Sequence, residues 1–264
     1  MRQRSILASL YILVALEIFY YFAFKGKSFE IIFLASTIIL ILILLWMLGL
    51  PFKKWLSREI FTHTAYLVLP VLFYVSSLMF SLLIQSKTLE QLFIFASTAL
   101  FFIILAGIRG VVLNLDYKIK PRLTYNILTL STLLTIFLSY SIVWAFFQDL
   151  AFSIWIILLI FFVLTFLLSY QIFHLSGAER RRSIIFALFT GLVIAQVSWI
   201  FCFWPIEYFF LGILTTIVFY TLWGIIHHQF ENNITSSLIL EYLLVSVIIF
   251  ILILWKSISV IAIR

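Results

Sequence analysis

An all-α, polytopic membrane bundle of about nine transmembrane helices is the fold this sequence predicts. Three observations predict it. The chain is 65% hydrophobic and only 10% charged, with a mean hydropathy of +1.24. Soluble domains run near half apolar and about a quarter charged, so water cannot be the solvent for most of this surface. The charges also fall in short clusters between long uncharged stretches, as they do in multi-pass helical membrane proteins. Finally, the ten-residue alternation of a membrane β-barrel is absent from the sequence.

A helical span needs about 20 apolar residues, and nine windows meet that need. They lie near 5–24, 29–49, 61–84, 91–114, 123–147, 151–174, 183–204, 206–228 and 237–258. The connections between them are too short for a soluble domain, so 1–264 reads as a single transmembrane domain.

The first window opens with Arg2 and Arg4 before an apolar run, as a secretory signal does. Glu17 interrupts that run, no small-x-small cleavage site precedes Lys25, and further spans follow. A retained first helix is expected. Glu17 sits about 18 Å along the helix counted from Ser5, a little past the bilayer centre. An ionisable group at that depth suggests a proton or substrate role, against the plainer reading of a protonated carboxyl bonded to a neighbouring helix.

Between the second and third windows, "PFKKWLSREIF" places Phe52, Trp55, Leu56 and Ile60 on one helical face and its charges largely opposite. That pattern suits a short helix lying on the membrane surface. Arg109 lies near the inner end of the fourth window and can snorkel. The fifth carries Thr124, Ser131, Thr135 and Ser139 on one face, with Thr132 at its margin. Such hydroxyls line a permeation path or, more often, let helices approach closely. Gln171 and Gln196 are isolated amides read in the same way.

"QDL" reads as a hairpin turn, with Asp149 placed to cap the sixth helix. The run from Ser183 to His228 is 46 residues, about 69 Å as one helix, and must fold back. Trp204-Pro205 is where it can. Proline suits the first turn of a helix, and Glu207 would then meet the positive end of the helix dipole. A catalytic Glu207 is the weaker alternative.

Charge bias orients the bundle. Arg2, Arg4, Lys53, Lys54, Arg58, Arg109, Lys118, Lys120, Arg122, Arg180, Arg181 and Arg182 gather on one side, against Lys25, Lys27, Lys87, Lys256 and Arg264 on the other. The positive-inside tendency makes this N-in, C-out. The eight tryptophans all fall near window ends, where an amphipathic ring prefers to lie. The formal charge of +7 is accounted for by anionic lipid and topology; no basic patch points to nucleic acid.

Few residues offer chemistry. His63, His174, His227 and His228 are all expected at the inner edge, near Asp116, Glu179 and Glu231. A shared metal or lipid-substrate site there is one reading, and interfacial filling the other. No HExxH, no His-x₃-His and no paired-carboxylate motif occurs, so no metal and no cofactor is expected. Haem is disfavoured because the histidines lie at one edge only. The sole cysteine, Cys202, excludes an internal disulfide and a cysteine metal cluster. "NIT" at Asn233 lies on the inner side, and "GAERRR" lacks the Gly-Lys-Ser/Thr of a phosphate loop.

In the C-terminal third, "SWIFCFWPIEYFFLG", "FYTLWGIIHH" and "LILEYLLVSVIIF" carry Trp199, Trp204-Pro205, Tyr220, Gly224 and Glu241-Tyr242. This pattern resembles uncharacterised bacterial membrane proteins grouped as a domain of unknown function, many from candidate phyla. The resemblance implies a multi-pass protein of a prokaryotic cytoplasmic membrane and brings no activity. Three function classes follow: a non-catalytic membrane component or assembly partner, a transporter or channel, and an intramembrane enzyme on a lipid-linked substrate. The lipid bilayer and other membrane proteins are the expected partners.

Overall fold

The computed structural model describes residues 2–24, 29–48, 60–112, 121–150, 152–176, 178–230 and 235–261. Among them are nine α-helices and no strand: α1 (Arg2–Phe24), α2 (Phe29–Leu48), α3 (Ile60–Ser81), α4 (Lys87–Val112), α5 (Pro121–Leu150), α6 (Ile154–Leu175), α7 (Arg180–Phe201), α8 (Tyr208–Phe230) and α9 (Ser236–Ile261). Each predicted window overlaps one helix, with ends that differ by up to four residues. Five, within α4 to α8, are long and apolar enough over the described residues to cross a membrane. The surface helix expected over "PFKKWLSREIF" lies almost wholly outside the described residues.

The chain divides into two compact units, Met1–Thr135 and Ile136–Arg264. In the first, α1 packs against α2, α3 and α4. Ala8, Ile12, Ala15 and Leu16 form its buried stripe, while Leu7, Leu10, Val14 and Ile18 are exposed on the other side. The exposed side is therefore apolar as well as the buried one. Across the α1–α2 contact, the Tyr11 hydroxyl donates to the Ser36 carbonyl at 2.8 Å. Phe73 of α3 and Phe101 of α4 stack at 6.4 Å.

The second unit is built around aromatic side chains of α5 and α6. Tyr140 and Trp144 of α5 both meet Phe161 of α6, at 5.2 Å and 5.1 Å. Close packing of these rings is joined by hydrogen bonds between the helices. Two such bonds are buried. Tyr140 Oη and Thr165 Oγ1 lie 2.6 Å apart, and Trp144 Nε1 donates to Thr215 Oγ1 of α8 at 3.1 Å. On α7 the buried positions are mostly small: Ser183, Ala187, Thr190, Gly191 and Ser198, with Ile194 and Phe201. They let α7 lie along α6. Gly212 does the same for α8. A Cβ there would stand 3.0 Å from Ser141 Cα, so α5 and α8 touch almost backbone to backbone.

Several local expectations are corrected. Trp144 is fully buried, its ring packed on Phe161 rather than exposed on the helix surface; Trp223 is also buried. Asp149 stays in the last turn of α5, and the N-cap of α6 is Ser153. The α7–α8 turn is longer than the Trp204-Pro205 step, running from Cys202 to Glu207. Pro205 therefore precedes the helix, and Glu207 is its cap rather than a first-turn residue. The Glu207 carbonyl accepts from Leu211 N–H at 3.2 Å. Arg180, Arg181 and Arg182, expected in a loop, open α7.

Gln148, at the end of α5, reaches this turn with both halves of its amide. Nε2 donates to the Ile206 carbonyl at 2.6 Å, and Tyr208 N–H donates to Oε1 at 3.0 Å. Pro205 offers no N–H, so this external partner helps complete the backbone bonding of a non-helical stretch.

Candidate functional site

The sequence-predicted residues are spread along the chain. Glu17 lies on α1 and is half-buried. His63 on α3 and Arg109 on α4 have side chains outside the described residues. His174 is half-buried at the end of α6, where it closes an aromatic staircase: Phe162, Phe166, Tyr170 and His174 follow at four-residue steps, and the Tyr170–His174 rings stack at 5.9 Å. His227 and His228 lie together at the end of α8, with ring centroids 5.9 Å apart. Among the described residues no three His, Cys, Asp or Glu side chains converge in a way that could hold a metal ion.

Of the predicted fifth-span hydroxyls, Ser131, Thr132, Thr135 and Ser139 are buried, the side chain of Thr124 lies outside the described residues, and three of the buried ones turn to their own helix. Ser131, Thr132 and Thr135 donate to the carbonyls of Ile127, Leu128 and Ser131, each at 2.8 Å. Thr165, Thr190, Thr215 and Thr216 do likewise on α6, α7 and α8. A hydroxyl bonded to its own backbone has its donor engaged and can sit against an apolar neighbour. Gln171 is fully buried, but Gln196 is exposed on α7, so packing accounts for only one of the two amides. Glu90 lies one residue before the fourth predicted window and is not among the residues the sequence singles out. It is 1% exposed in the first turn of α4, where the helix dipole favours a carboxylate.

A cavity of about 240 Å³ opens between α8 and α9, lined by Tyr220, His228, Glu241, Tyr242 and Val245. Its shape follows from spacing. Tyr220, Gly224 and His228 recur every four residues, so they share one face of α8. On α9, Glu241 and Val245 are also four apart. Gly224 leaves the gap into which Tyr242 settles: a Cβ there would lie 2.7 Å from Tyr242 Cζ. The Tyr242 ring then meets Tyr220 at 5.5 Å and His228 at 6.0 Å. Below it, Thr221 and Ser246 hydrogen-bond across the helix pair, and Ser246 Oγ donates to the Tyr242 carbonyl at 2.8 Å. Trp223 stacks on His227 at 5.4 Å, stiffening the α8 side.

This cleft was not foreseen as a site, although its parts were visible. Tyr220, Gly224 and Glu241-Tyr242 had been singled out as pattern residues, and His228 as an interfacial histidine. What linear reading lacked was the register of α9 against α8.

Comparison with known proteins gives a family and nothing finer. A family model described as "Protein of unknown function (DUF5656)" matches residues 19–256. No curated protein and no solved structure matches the chain.

Proposed function

We propose, for a chain that belongs to the DUF5656 family of proteins of unknown function, a role as a non-catalytic, multi-pass component of a prokaryotic cytoplasmic membrane. The observation that carries this reading is the filled interior of the second unit. Trp144, Tyr140, Phe161 and Phe219 are among its largest fully buried side chains, and the threonine hydroxyls beside them bond to backbone. A permeation path needs a polar, water-accessible lining at that depth. On this reading the exposed apolar faces of α1, α2, α4, α6, α7 and α9 contact lipid and other membrane proteins.

Transport is the second reading, and Glu17 is the residue that favours it. The two readings separate in proteoliposomes under a pH gradient. A non-catalytic component leaves the gradient intact in wild type and in Glu17→Gln alike. Proton flux in wild type that Glu17→Gln abolishes would overturn the proposal, because Gln cannot take up and release a proton.

A further inference from the structure

The α8–α9 cleft combines aromatic ring faces with a carboxylate. Tyr220 and Tyr242 present rings at 50° to one another, Val245 adds an apolar wall, and the exposed Glu241 stands on the same helix as Tyr242. The cleft also lies close to the end of its helix pair. His228 is two residues, about 3 Å, from the end of α8, and Glu241 is five residues, about 7.5 Å, from the start of α9. In a membrane-spanning pair that is headgroup depth.

Chemistry narrows the occupant. An anion would be repelled by Glu241, and a purely apolar group would leave the carboxylate without a counter-charge. A chelated metal ion would need more donors than converge here. An organic ammonium answers both surfaces at once, its charge set against the carboxylate and its polarised C–H or N–H groups against ring faces. The volume agrees: 240 Å³ is below the roughly 300–1,000 Å³ of pockets for drug-sized ligands and suits a small head-group.

We propose that the α8–α9 cleft is a binding site for an organic ammonium group, held between the rings of Tyr220 and Tyr242 and the carboxylate of Glu241. An aminophospholipid headgroup and a water-soluble amine both carry that group. The inference rests on the membrane reading above, since headgroup depth has meaning only in a bilayer.

The test uses the full chain purified in detergent. Binding is read by native mass spectrometry and by thermal shift for a short-chain phosphatidylethanolamine, the matching phosphatidylglycerol, free ethanolamine and free choline. The expected result is retention of an ammonium-bearing ligand in preference to phosphatidylglycerol, weakened about tenfold by Glu241→Gln and by Tyr242→Leu. Gly224→Ala, which displaces the Tyr242 ring, should weaken it as well. Selective binding of the ethanolamine lipid alone identifies a headgroup site; equal binding of free ethanolamine or choline identifies a soluble amine. Equal binding of the two phospholipids, or selectivity that survives Glu241→Gln, would overturn the assignment. Glu241 is exposed, so its variant should fold; Glu241→Asp, keeping the charge, should keep the binding. Resistance of the membrane-bound chain to alkaline carbonate extraction tests the membrane reading separately. Extraction sinks that reading, whereas a resistant protein with no ammonium preference sinks only the cleft.

Discussion

Gln171 has no exposed surface in α6, and neither its Oε1 nor its Nε2 meets a hydrogen-bond partner among the described residues. A buried amide without partners costs about 1–3 kcal/mol. Gln171→Met, close in size and free of that cost, should raise the melting temperature in detergent by a few degrees; a fall would mean that the amide has a partner after all. Cys202 offers a second measurement, because it is the only cysteine and lies in the α7–α8 turn. Burial pushes its thiol above the usual range, so less thiolate is present at any neutral or mildly alkaline pH, and thiolate is the nucleophile. Alkylation of the folded protein should therefore rise with pH later than alkylation in denaturing detergent. Coincident pH profiles would contradict the burial. Single residues were the least legible part of the sequence. Position along a window sets the depth of Trp144 but not whether its ring points to lipid or to Phe161. Gln171 and Gln196 looked alike as isolated amides, and only rotation about the helix axis separates them.

Elements were far more legible, because uncharged runs bounded by charges and turn residues mark where a helix must begin and end. The misreadings cluster at caps. Asp149 and Glu207 were assigned from charge and dipole, whereas the chain ends α5 at Leu150 and starts α8 at Tyr208, with Gln148 bonding the turn from outside. Helix pairs are where the sequence falls silent, since Gly212 carries no mark of the Ser141 it faces. Gly212→Ala would set a methyl 3.0 Å from a backbone atom that has no rotamer to change. Overpacking of this kind typically costs about 1–3 kcal/mol. The variant should melt lower than wild type in detergent, and an unchanged melting temperature would mean that α5 and α8 are free to separate. Gly224→Ala should be milder, because the atom it meets is the far end of the Tyr242 side chain. The α8–α9 cleft was illegible for the same reason as the Gly212 contact: its residues lie on two helices, and nothing in either one marks the register of the other.

At the scale of the whole molecule, composition pointed to a membrane, and long uncharged runs without a barrel's alternation carried the all-α reading. The finer claims of nine crossings and N-in, C-out orientation rest on the distribution of basic residues, with twelve on the predicted inner side and five on the outer. Reporter fusions at residues 118 and 264 measure them directly: the first should report inside and the second outside. Reports from the same side would mean an even number of crossings between the two points, with the ninth helix or an earlier one failing to span. The division at Thr135–Ile136 was not visible in the sequence, because it falls inside one continuous helix.

Gln148 has a consequence for anyone who wants to tag this protein. A turn pinned at Ile206 and Tyr208 by one amide has a fixed length, so slack cannot be added to it without releasing the pin. An epitope inserted after Phe203 should lower the yield of membrane-inserted protein. In a Gln148→Leu background the pin is already gone, and the same insert should cost little more. If the insert is equally harmful in both backgrounds, the amide is not what sets the length. The turn would then owe its form to Pro205 alone.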